Sequence, residues 1–243
     1  MRWTIAEGVA RSQDLPGVAI PADPFVGLLG VSPSRERLAE FAEREAAIVR
    51  RGGFSLPPDE ASAVPAAGEP AREGLRTVPP RETGGNMDVK LVRAGARVLL
   101  SVDVPGALLS LGDIHFAQGD GESCGVAIEI AGSVTFRCSL RRDGWRPRFP
   151  AIEHTEPAST GLRPCFATTG IPIAEDGENR AQDVYEAARN ALQELIDWLV
   201  ATRGLTREQA YVLVSVAADL RISSIVNVPN PVVAAVLPLD IFE

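Results

Sequence analysis

Between Gly112 and Ile130 the chain reads GDIHFAQGDGESCGVAIEI, so that Asp113, His115, Gln118, Asp120 and Glu122 stand close together just ahead of an apolar run. In extended backbone the side chains at i and i+2 point the same way, and Asp113-x-His115 therefore presents a carboxylate beside an imidazole. Asp120-x-Glu122 repeats the spacing with two carboxylates. Upstream, GGNMDVK gives it a third time as Asn86-x-Asp88 behind two glycines. Three oxygen and nitrogen pairs on glycine-rich loops suit a hard or borderline divalent cation, Zn²⁺ first and Ca²⁺ second. The chemistry such a set supports is hydrolysis. A cation on Asp88, Asp113 and His115 would polarise a carbonyl and acidify a bound water. Glu122, beside Asp120, would serve as general base with its pKa raised by that like-charged neighbour, although spacing leaves ligand and base interchangeable among these carboxylates. Asn86 and Gln118 would orient the substrate by hydrogen bonds.

Other readings of the same residues stand beside this one. Gly and Asp in turns are ordinary loop chemistry, and a lone Asp-x-His is no more than that; it is the threefold repetition that points to ligands. Glu129 lies within VAIEI and either faces outward or needs a charged partner. His154, in the polar stretch AIEHTE, reads as a surface residue. Cys124 reads as a small buried hydrophobe, or else as a nucleophile activated by His115 or by Glu122 with Lys90, the only lysine among 24 basic residues.

Composition narrows the classes. The 243 residues suffice for a substantial core in a single domain. The net charge of −8, with no basic cluster, argues against nucleic acid as a partner. No apolar run approaches the roughly 20 residues of a bilayer span, and MRWTIAEGVARSQD lacks the apolar core of a signal peptide, so no membrane partner is expected. Three cysteines without CxxC spacing indicate neither a disulfide framework nor a sulfur-held metal, and the expected compartment is the cytoplasm.

The elements that must carry the site are legible in outline. Residues 34–51 have the apolar spacing of an amphipathic surface helix, with Ser34 as N-cap and Gly52-Gly53 as stop. Residues 56–80 have loop composition. A β-rich part spans about 81–142, within which Val134, Phe136, Cys138 and Leu140 alternate with polar residues as in a half-buried strand. An α/β part covers about 160–243: a helix over 184–203 ending at Gly204, a second helix opened by the capping box Thr206-x-x-Gln209, and closing strands in RISSIVNV and VVAAVLPL. The expected fold is α+β, a β-sandwich-like body with helices packed on one side.

The stretches GGNMDVK, VPGALLSLGDIHFAQGDGESCGVAIE and LRISSIVNVPN resemble the acetamidase/formamidase family, with formamidases nearest, and the resemblance continues through GVARSQDLPGVAIPADPFVGLLGVSPS and EGLRTVPPRE. It implies a β-sandwich with added helices, hydrolysis of a small aliphatic amide to carboxylate and ammonia, and a homo-oligomer. It also implies a further β-rich stretch, bearing His and Asp, upstream of the counterpart of WTIAEG; this chain has Trp3 two residues after Met1. Two alternatives follow: a shortened, non-catalytic member that binds a cation or partner, and a thiol amidase built on Cys124.

Overall fold

The computed structural model describes residues 1–142, 144–155 and 162–243. Its centre is a five-stranded antiparallel sheet in the order β11 (Asp219–Ser224), β12 (Val232–Pro238), β10 (Cys165–Gly170), β9 (Ala151–His154) and β6 (Arg97–Leu99). Its central strands β12, β10 and β9 are buried on both faces, and alternation along them assigns each side chain to a layer. Cys165 and Ala167 of β10 and Val232, Ala234 and Val236 of β12 join one core cluster with Met87, Val89, Phe149 and Ile152. Phe166, Ala235 and Leu237 point the other way, into a second cluster with Leu195, Trp198 and Leu199. Burial on both sides explains why VVAAVLPL carries no polar residue on either register.

The second layer on one face is helical: α3 (Val184–Arg203) and α4 (Arg207–Ala217). As expected, α3 ends at Gly204 in left-handed conformation, and Thr206 and Gln209 close a capping box at α4. The close seat of α3 requires a glycine beneath it. A Cβ on Gly170 would stand 2.1 Å from the Ala187 carbonyl oxygen, so any side chain there would push the helix off the sheet.

On the opposite face lies a four-stranded antiparallel sheet in the order β5 (Gly84–Asn86), β4 (Phe25–Gly30), β7 (Ser110–Ala117) and β8 (Ile128–Glu129). Val26 and Leu29 of β4 pack on the first core cluster. A small sheet of β1 (Thr4–Ala6), β2 (Val9–Arg11) and β3 (Ile20–Pro21) adds Ala10 beneath Phe116 and Ile128. The fold is thus α+β, a layered β body with α3 and α4 packed on one face of its central sheet.

The helix α1 (Arg35–Arg50) starts where expected, with the Ser34 hydroxyl accepting from Arg37 N. Its inner face does more than cover apolar surface. Glu45 is buried and accepts from Arg81 Nε and an Arg81 terminal nitrogen at 2.8 and 3.1 Å, and Arg44 makes a matching fork with Glu82 at 2.7 and 2.9 Å. Two bidentate pairs, strong in such surroundings, anchor the turn that leads into β5 and hence Asn86 and Asp88.

Three expectations are corrected. Residues 56–80 are not all loop, because a 3₁₀ turn at Glu60–Ser62 and a short helix α2 (Gly68–Glu73) interrupt them. The alternating stretch Val134–Leu140 joins no sheet, and Phe136 and Leu140 are exposed; alternation makes a strand only where a neighbouring strand and a core receive it. His154 is buried, not at the surface: it ends β9, with Nε2 2.8 Å from the Leu91 carbonyl oxygen.

Glu194, buried on α3, accepts from Arg148 N at 2.9 Å, and burial pushes its carboxyl from the ordinary 4.5 to about 7. The folded state therefore holds a proton that the unfolded chain releases above its own pKa. The stabilisation is complete below about pH 4.5 and is lost as the pH rises through about 7. Glu194→Gln keeps an acceptor for Arg148 and removes the titration. We expect urea unfolding to show the variant more stable than wild type by about 1–3 kcal/mol at pH 8 and level with it near pH 4; equal pH slopes would contradict this.

Candidate active site

The strand β4 organises the site because its two neighbours bring the reactive groups. Phe25 pairs with His115 and Leu28 with Gly112 on β7, while Leu28 pairs with Asn86 on β5. The chain leaving β5 then folds back over Gly27, whose carbonyl accepts from Met87 N and Asp88 N at 3.0 and 3.1 Å. Gly27 is the space-maker of this arrangement. A Cβ there would meet Asp88 Oδ1 at 2.7 Å and both Asp113 O and Asp113 Oδ2 at 2.9 Å. Asp88, Asp113 and Glu122 all have positive φ, at 51°, 54° and 43°. Left-handed backbone is costly for residues with a Cβ, and its concentration on three carboxylates marks a functional site.

His115 is fully buried, edge-on to Phe25 at a ring separation of 4.8 Å. Its Nδ1 lies 2.8 Å from Gln118 Oε1, and Gln118 Nε2 donates to the Asp88 carbonyl at 2.9 Å. A carbonyl only accepts, which fixes the Gln118 amide; Nδ1 must then carry the ring proton. Nε2 is left facing Asp113 Oδ2 at 3.2 Å and Asp88 Oδ1 at 3.9 Å. Both Nε2 and Asp88 Oδ1 are buried without a hydrogen-bond partner. With the imidazole neutral and both carboxyls ionised, these two buried atoms have no donor between them, and a proton or a cation completes the arrangement.

The electrostatics agree. Asp88 is pushed up mainly by burial, against the hydrogen bond from Asn227 and the nearby imidazole. Glu122 is pushed up to about 7, by burial first and by the charge of Asp88 second. For His115, burial acts downward and is outweighed by Asp113, Asp88 and Gln118, so the imidazole is raised. Negative charge accumulates here faster than the protein neutralises it, and a proton or a cation fills the deficit. A carboxyl poised near neutrality can also accept a proton and return it.

Of the residues singled out in the sequence, Asn86, Asp88, Asp113, His115, Gln118 and Glu122 surround this one point. Asp120 does not join them. It is turned outward and pairs with Lys90 at 3.6 Å, so the like charge acting on Glu122 is Asp88. Gln118 is engaged at both ends and braces His115, leaving no free amide end to orient a substrate. Two trios of possible ligand atoms lie within 4.8 Å of one another, Asp88–His115–Glu122 and Asp113–His115–Glu129, so His115 is common to both sides. Glu129 is exposed, opposite His115 on β8. It faces, with Asp113, Ile114, Ile130 and Val134, an open cavity of about 580 Å³. Cys124 is exposed, its Sγ 3.4 Å from the Val126 carbonyl oxygen, which corrects its reading as a buried hydrophobe. Gly27 and Asn227 were not legible as site residues. Asn227 is buried and donates to Asp88 Oδ2 at 2.6 Å.

The chain thus combines a layered β body, with α3 and α4 on one face of its central sheet, and a buried carboxylate–imidazole cluster. The model of the Acetamidase/Formamidase family matches residues 1–243, and the chain belongs to that family. It is 35% identical over 258 residues to the formamidase of Methylophilus methylotrophus, an alignment covering 99% of this chain and 63% of that protein. It is 36% identical over 229 residues to the acetamidase of Mycolicibacterium smegmatis, covering 87% and 56%. Among solved structures, an acetamidase from Bacillus halodurans superposes with a TM-score of 0.68 at 26% identity, over 99% of this chain and 62% of that one. A gamma lactamase from Delftia acidovorans superposes at 0.56 with 32% identity, over the same shares. The chain spans about three-fifths of the length of the curated formamidases it matches. Among the described residues, no helix is long and apolar enough to cross a membrane.

Gly27 gives a direct test of the packing around the cluster. Gly27→Ala forces a methyl against two carboxylate oxygens and a backbone carbonyl, and should cost about 1–3 kcal/mol in urea unfolding. Gly112→Ala, with nothing within 4 Å of its added Cβ, should cost a few tenths at most. Equal effects would show that Gly27 makes no special room.

Proposed function

We propose that this site hydrolyses short aliphatic amides, formamide in preference to acetamide, by water activated at a divalent cation, with zinc favoured over calcium. The observation that carries the reading is the convergence of Asp88 Oδ1, Asp113 Oδ2 and His115 Nε2 beside Gly27, two of the three being buried atoms without a hydrogen-bond partner. Ligand atoms around a four-coordinate zinc with bonds near 2.0 Å stand about 3.3 Å apart. The imidazole nitrogen lies 3.2 and 3.9 Å from the two oxygens, close to that spacing, while the two aspartates belong to different trios around His115 and would draw together on a bound cation. One nitrogen and two oxygens, without sulfur, suit zinc, and the oxygen majority admits calcium. The named activities of the formamidase and acetamidase relatives support the reaction class.

Asp88, Asp113 and His115 would hold the cation. When bound, it polarises the amide carbonyl and lowers the pKa of water toward neutrality. The remaining steps belong to the chain. Gln118 keeps the His115 proton on Nδ1 and the Nε2 lone pair free. Glu122 removes a proton from the attacking water as oxygen bonds to the carbonyl carbon, then returns it to nitrogen as the C–N bond breaks and ammonia leaves. Asn86, whose Nδ2 donates to Asp88 Oδ2 at 3.0 Å, offers its side-chain carbonyl to the substrate NH₂. The open cavity edged by Asp113 and Glu129 gives a small amide its approach. Cys124, turned toward a backbone carbonyl, is less well disposed to attack, and Lys90 is held by Asp120.

Glu122→Gln separates base from ligand. Zinc affinity by calorimetry should stay within a few-fold of wild type, while formamide turnover falls about 10²–10⁴-fold. Loss of zinc binding in this variant would instead make Glu122 a ligand. Full activity after chelation, abolished by alkylating Cys124, would overturn the cation mechanism.

A further inference from the structure

The Asp88 carboxylate is held asymmetrically. Oδ2 accepts from Asn227 Nδ2 at 2.6 Å and from Asn86 Nδ2 at 3.0 Å, while buried Oδ1 accepts from nothing and faces the equally bare Nε2 of His115 at 3.9 Å. A carboxylate turns easily about its last torsion, so its two oxygens are interchangeable unless something tells them apart. Asn227 supplies the shortest contact that does so. It is itself fixed, because Nδ2 also donates to the Asn86 backbone carbonyl at 2.9 Å.

Asn227 comes from the connection between β11 and β12, in a different sheet from β5 and β7. The end of β11 and the start of this connection grip the turn that carries Glu122: Gly121 N donates to the Ser223 carbonyl at 3.1 Å, and Ile225 N to the Gly121 carbonyl at 2.9 Å. Gln118 Nε2 also approaches the Ser223 carbonyl, at 3.4 Å. The end of β11 and the connection that follows it thus touch the supports of Asp88, His115 and Glu122 together. The chemistry at position 227 is narrow. Two acceptors, a carboxylate oxygen and a backbone carbonyl, must be served from one atom, which requires the two hydrogens of a primary amide or an ammonium group. A hydroxyl has only one.

We infer that Asn227 is the positioning residue of Asp88, holding Oδ2 so that Oδ1 is presented with His115 Nε2 to a divalent cation; this rests on the cation reading of the site given above. Groups that orient a ligand from behind typically set about 10–100-fold in metal affinity. The test is Zn²⁺ calorimetry on the full chain as wild type, Asn227→Ala, Asn227→Ser, Asp88→Asn and the double variant Asp88→Asn/Asn227→Ala. Urea unfolding in chelator serves as the check on folding. Asn227→Ala should bind Zn²⁺ about 10–100-fold more weakly, Asn227→Ser should fall between it and wild type, and the loss should vanish in the Asp88→Asn background. Should Asn227→Ala fail to fold, Asn227→Ser, with one donor retained, carries the comparison in both backgrounds. Wild-type affinity in the position-227 variants beside a weakened Asp88→Asn would overturn the inference alone. A loss of the same size in the Asp88→Asn background would also overturn it, because Asn227 would then be acting on the fold at large. Wild-type affinity in Asp88→Asn would overturn the cation reading and the inference with it.

Discussion

A carboxylate removed from water is among the most expensive groups a protein can bury, and Asp88 is almost completely buried. Much of the architecture around it is a response to that cost. Asn227 and Asn86 stabilise one oxygen, and the imidazole of His115 lies within reach of the other. Gly27 withholds a side chain so that Asp113 can approach the same space. The compensation is incomplete, because one oxygen of Asp88 and one nitrogen of His115 remain without partners. An incompletely neutralised anionic cluster leaves the last positive charge to be supplied by a proton or, in the reading proposed above, by a cation.

Such a site has to be imposed by structure stable for other reasons. The five-stranded sheet is buried on both faces along its central strands and carries two apolar clusters, and α3 is locked on it at Gly170. The four-stranded sheet contributes fewer apolar contacts and more special geometry, with left-handed Asp88 and Asp113 beside Gly27. Stability and function are thereby divided between sheets, and the polar bridges from the β11–β12 connection join the two. The paired forks of Arg81 with Glu45 and Arg44 with Glu82 hold the remaining approach, the turn into β5.

What was legible in the sequence follows from which physics is local. Helix boundaries were readable because Ser34, Thr206 with Gln209, and Gly204 act within one turn of the backbone. The closing strands were readable from apolar runs. The alternation of Val134–Leu140 misled because pairing is not local: the pattern is necessary for a half-buried strand but does not supply the neighbour. His154 misled in the same way, since polar flanks say nothing of where a strand end turns. Among the residues that converge, Asp113 and His115 were singled out by i and i+2 spacing, Asp88 by the same spacing from Asn86, and Glu122 by its pairing with Asp120, all near glycines. Asp120 satisfied the same rule and turned outward to Lys90, for which the spacing carries no signal. Gly27 and Asn227 were invisible because their roles, an absent Cβ and a two-hydrogen donor 139 residues from its acceptor, exist only in three dimensions.

In the reading proposed above, Asp88, Asp113 and His115 form one cation site on the four-stranded sheet. Crystals of the chain grown with Zn²⁺ and measured on both sides of the zinc absorption edge address it without reference to activity. The expected result is an anomalous peak bounded by Asp88 Oδ1, Asp113 Oδ2 and His115 Nε2, at about 2.0–2.2 Å from each. A well-ordered cluster with no peak there at millimolar zinc, or a peak held by other residues while His115 Nε2 keeps a proton toward Asp113, would contradict it.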